Sequence, residues 1–83
     1  MINYDLLPEH IRGGMRKYIE EGVHPGSFLT AVICDKLVDS FMLADETNTA
    51  CMFSIAKFMY LEAPMLCRGS KEKMDAWKGT HNL

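Results

Sequence analysis

The chain is short of positive charge: nine lysines and arginines stand against eleven aspartates and glutamates, for a net charge of −2 over 83 residues. A nucleic-acid binder needs a basic face to displace counterions, so no nucleic-acid partner is expected. No apolar run reaches the ~18 residues of a transmembrane helix. The opening MINYDLLPEH lacks the basic-then-apolar pattern of a secretory leader, and no membrane partner is expected. Cys34, Cys51 and Cys67 are odd in number and form no CxxC pair. That spacing disfavours a disulfide framework and a zinc site. It points instead to core thiols in a reducing cytoplasm, with no metal and no cofactor. Internal repeats and low-complexity segments are absent. What is present is a globular composition, 48% hydrophobic and 24% charged, with seven methionines suited to adaptable contact surfaces. One helical domain over residues 1–83 is expected, with an ordered core at about 6–78.

The periodicity predicts an all-α bundle of about four helices. The first spans Pro8 to Glu21, with Leu7, Ile11, Met15, Tyr18 and Ile19 on one face and Gly22 as its stop. Gly13 and Gly14 inside it suggest close approach of a second helix. The second helix spans Ser27 to Leu43, with Ser27 as its cap. The third spans Glu46 to Glu62, with Asp45 as its cap and Asn48 three residues on. Pro64 ends it. The fourth spans Ser70 to Lys78 and carries Met74 and Trp77, and the tail THNL is expected to fray. Helices two and three are apolar over more than half their circumference, wider than the ~100° stripe a small bundle buries. Two short flanking helices cannot cover the surplus, so a symmetric homo-oligomer is expected, with Val38, Met42, Ile55 and Met59 at its interface. A tightly packed monomer is the alternative.

One corner, GVHPGSF over residues 22–28, concentrates special residues. A helix start offers free N–H groups and a partial positive charge. Gly26 admits close approach to the backbone, Ser27 and Thr30 add hydroxyls, and His24 adds a proton or a stacking face. Arg12 and Arg16, four apart on one helix face, and Lys17 are the cations within reach by reasoning. Together these residues suit a phosphate or carboxylate. The same residues also suit an ordinary interhelical turn and a solvated charged face. No base, nucleophile and oxyanion feature can be named together, so an enzyme is not expected.

The stretches LPEHIRGGMRKYIEEGVHPGSFLTAVI, ADETN and EAPMLCRGS…AW resemble a family of short proteins encoded by tailed bacteriophages, over Leu7 to Trp77. PGSFLTAV is the most specific part. The chain departs from the family pattern at Asp35-Lys36, where the family has Asn-Asp, and at Arg68, where it has tryptophan. The resemblance implies a non-enzymatic accessory protein in the cytoplasm of an infected bacterial host, acting against host immunity. Two mechanisms follow from it. One is an oligomer that sequesters a phosphate-bearing host immune nucleotide at its helix starts. The other is a protein–protein inhibitor of a host defence effector. A structural or regulatory phage subunit is a third class.

Overall fold

The helix boundaries follow local backbone and capping features. The structure, a computed structural model, describes residues 2–82. Among these are six α-helices and no strand: α1 (Glu9–Glu21), α2 (Ser27–Ile33), α3 (Leu37–Leu43), α4 (Glu46–Ala50), α5 (Met52–Leu61) and α6 (Lys71–Ala76). The all-α class expected from the periodicity is what the chain adopts. Among the described residues, no helix is long and apolar enough to cross a membrane.

Six helices replace four because both long predicted helices are broken. The first break is at Asp35, which takes a left-handed conformation with φ 63°. The Asp35 N–H returns to the Val32 carbonyl and the Lys36 N–H to the Ala31 carbonyl, at 3.2 and 2.9 Å. That pair of bonds is a Schellman termination, with aspartate in the place usually taken by glycine. The second break is at Cys51, with φ −105° and ψ 9°. Its N–H is shared between the Thr47 and Asn48 carbonyls. Asp45 caps α4 by accepting from the Asn48 N–H at 2.7 Å, and Ser70 caps α6 by accepting from Lys73.

The core forms around α1, whose Ile11, Met15, Tyr18 and Ile19 are buried. Leu29 and Ile33 of α2, Ile55, Phe58 and Met59 of α5, and Met74 and Trp77 join them. Tyr4, near the chain start, is also part of this cluster. The buried Tyr18 hydroxyl donates to the Cys67 carbonyl, tying the loop before α6 to α1. The tail does not fray over the described residues. Thr80–Asn82 form a 3-10 turn against α1, with His81 Nε2 3.4 Å from Glu20 Oε1; Leu83 lies outside the described residues. The glycine pair of α1 is not a close approach. A Cβ on Gly13 would meet nothing within 4 Å, and one on Gly14 would meet Leu29 at an ordinary 3.5 Å.

The break at Asp35 turns α3 inside out. Leu37, Val38, Phe41, Met42 and Leu43 are all exposed, and Ser40 is the helix's one buried residue. Had α2 run straight through, Leu37 and Phe41 would have continued the buried Leu29–Ile33 stripe. Instead the Ser40 hydroxyl satisfies itself on the Lys36 carbonyl at 2.7 Å, a back-bond that lets a serine be buried at low cost. α4 behaves alike, burying only Asn48. The two buried polar residues among those described, Ser40 and Asn48, thus both lie in this segment.

Candidate functional site

Two clefts flank α3. The first, about 370 Å³, contains the sequence corner: Pro25, Gly26 and Ser27 line it with Phe28, Leu29, Leu43 and, from α1 and α4, His10, Ile11, Gly14, Asp45 and Asn48. Gly26, not Ser27, is the cap of α2. Its backbone is extended, its carbonyl accepts the Thr30 N–H at 3.0 Å, and no side chain caps the helix. Ser27 is already the first helical residue and its exposed hydroxyl makes no hydrogen bond to the cleft. Ser27→Ala is therefore expected to change stability by less than about 0.5 kcal/mol, as at most surface positions. A urea titration checks this, and a loss above about 1 kcal/mol would restore the hydroxyl to a capping role.

The cations expected at the corner are placed elsewhere. Arg12 Nε donates to the Leu7 carbonyl at 2.8 Å, so this side chain holds the turn that leads into α1. Arg16 lies over the Tyr4 ring, 4.7 Å from its centre, on the face that carries Glu20 and His81. Lys17 is exposed and lines neither cleft. His24 sets its ring edge-on to Tyr18, with centroids 6.3 Å apart, and Thr30 reaches back to the Pro25 carbonyl at 3.4 Å. Of the expected anion-binding set, only Gly26 and Ser27 line the cleft. The cleft carries one carboxylate, Asp45, and neither arginine nor lysine. His10 Nε2 lies 3.1 Å from Asp45 Oδ2, an exposed pair that no hydrogen bond joins to Ser27. A buried Asn48 Oδ1 without a partner is the remaining polar feature there.

The second cleft, about 330 Å³, lies between α3 and α5. Its walls are Val32, Leu37 and Ser40 on one side and Met52, Ile55, Ala56, Met59 and Tyr60 on the other, with Asp35, Lys36 and Arg68 supplying charge. Ile55 and Met59, expected at an oligomer interface, are core residues at 1% and 7% exposure. They line the floor of the cleft, so a partner could reach them only from within it. Val38 and Met42, expected alongside them, stand fully outward at 71% and 76%. Arg68 is held at the cleft because the Gly69 N–H bonds the Ile33 carbonyl at 2.8 Å. Its guanidinium carbon is 6.0 Å from the centre of the Tyr60 ring, and its Nε is buried with no hydrogen-bond partner. An unpaired buried donor of this kind is costly.

No motif or spacing in the sequence marks this cleft. Its only local signal was a lone arginine in the apolar stretch before the last helix. The thiols lie apart from it: burial pushes Cys67 up to about 11 and Cys34 above its ordinary value, so both stay protonated and poor nucleophiles near neutral pH. No family model, curated protein or solved structure matches the chain.

Proposed function

We propose that this chain is a non-enzymatic protein-binding module. It self-associates as a symmetric homo-oligomer and, in the setting the phage resemblance implies, acts in the cytoplasm of an infected bacterium by occupying a host defence protein. The observation that carries this reading is α3, which shows solvent five large apolar side chains and buries a serine. The largest apolar patch of a monomer is often its contact surface. Phe53, Leu61, Met65 and Leu66 add exposed apolar area on α5 and the turn after it, which stays open to a host protein when α3 is taken up by self-association. Nucleotide capture at the corner draws less support, because that cleft holds a carboxylate while Arg12 and Arg16 are engaged on other faces.

The two mechanisms separate in a phage-plating assay on hosts that carry defence systems. The Val38→Glu/Met42→Glu variant is expected to lose at least tenfold of the plating that the wild-type chain restores, with its helical circular dichroism intact. The Ser27→Ala/Arg16→Ala variant is expected to retain it. The opposite pattern would return the function to the corner.

A further inference from the structure

We infer that the cleft between α3 and α5 is filled by α3 of a second copy of this chain, in a two-fold symmetric dimer. The inference deepens the reading of α3 as a contact surface by naming one occupant. At 100° per residue, Val38 and Met42 lie about 160° to either side of the buried Ser40, and so form the outermost ridge of α3. Leu37 turns toward the cleft. The five exposed apolar residues of α3 offer on the order of 500 Å², near the upper end of the largest patch found on ordinary monomers. With the cleft walls and Tyr60 added, the face approaches the ~800 Å² per partner of a standard interface.

The occupant is a second copy because α3 is at once one wall of the cleft and a helix fit to enter it. A two-fold axis beside α3 places the Val38–Met42 ridge of each copy in the cleft of the other. Both ridges are then covered in one closed contact. A foreign helix in the same cleft would leave the ridge itself in water. The charges agree in sign: Asp39 is the one charged residue of α3, whereas Lys36 and Arg68, the latter with an unpartnered Nε, lie at the cleft beside a single Asp35.

Sedimentation or light scattering at micromolar concentration tests the dimer directly. The expected mass is twice the chain's 9.4 kDa. Val38→Glu/Met42→Glu is expected to give the single-chain mass. Tyr60→Glu, on the opposite wall and 77% exposed, is expected to do the same without touching α3, so it decides the matter if the first variant misfolds. A wild-type chain of single mass overturns the dimer, whatever the plating assay shows. So does a dimer that survives Tyr60→Glu. A dimer that the variants dissolve while plating is unaffected keeps this inference and removes the proposed function instead.

Discussion

Trp77→Ala is expected to remove a large share of the protein's stability. Trp77 is 7% exposed. Its indole Nε1 donates to the Ile19 carbonyl at 3.0 Å and the Tyr18 carbonyl at 3.2 Å. The last carbonyls of a helix have no partner within it. The Val23 N–H that would ordinarily serve Ile19 goes to Lys17 instead. The end of α1 is therefore capped by a side chain 58 residues away. Truncating a buried tryptophan costs about 3–5 kcal/mol. A chain of this length has about 4–12 kcal/mol in total. Chemical denaturation followed by circular dichroism is expected to show the midpoint collapse. Trp77→Phe keeps most of the packing and loses the donor, and is expected to cost about 1–3 kcal/mol. If Trp77→Ala costs less than about 1 kcal/mol, the segment after α6 is not docked on α1 in solution.

Gly79→Ala is expected to have a comparable effect by a different route. Gly79 has φ 95°, and a Cβ there would overlap the Glu20 carbonyl oxygen and lie 2.7 Å from two further backbone carbons of α1. A side chain at this φ is strained by about 1–3 kcal/mol. The clash adds about 1–3 kcal/mol more, because the obstacle is backbone and cannot swing aside. Gly13→Ala is the matched control: it is helical, exposed and free of any contact within 4 Å, and is expected to stabilise by about 0.5–1 kcal/mol. Thermal melts of the two variants should move in opposite directions. Equal shifts would mean that the seat of Gly79 on α1 is loose.

What the sequence made legible was local. The buried face of α1, its stop at Gly22, and the cap at Asp45 each follow from residues within a turn of one another. What it hid depended on single backbone conformations or on tertiary placement. Asp35 in a left-handed conformation leaves no glycine to read, and the apolar run continues through it, so one long helix is the natural reading. That one dihedral then rotates Leu37 and Phe41 out of the stripe they share by spacing with Leu29 and Ile33. The turn and the helix start at the corner are legible in Pro25, Gly26 and Ser27. Which cations reach it is a matter of packing, and Arg12 and Arg16 are claimed by Leu7 and Tyr4. Arg68 gained its place beside Tyr60 only through the Gly69–Ile33 bond, a link of 36 residues that no spacing rule contains.

The segment from Leu37 to Ala50 has a thermodynamic consequence of its own. Its two buried residues are both polar, and the Ser40 bond to Lys36 is local enough to persist if the segment swings away. Detaching it from the rest of the domain would expose few further apolar side chains of its own, so the opening free energy of this flap is expected to lie below that of global unfolding. The chain on its own is then two cooperative units of unequal strength: a firm one around α1, α5 and Trp77, and a weak one carrying the apolar ridge. In the proposed dimer, a second copy seated between α3 and α5 would hold the weak unit closed against the firm one.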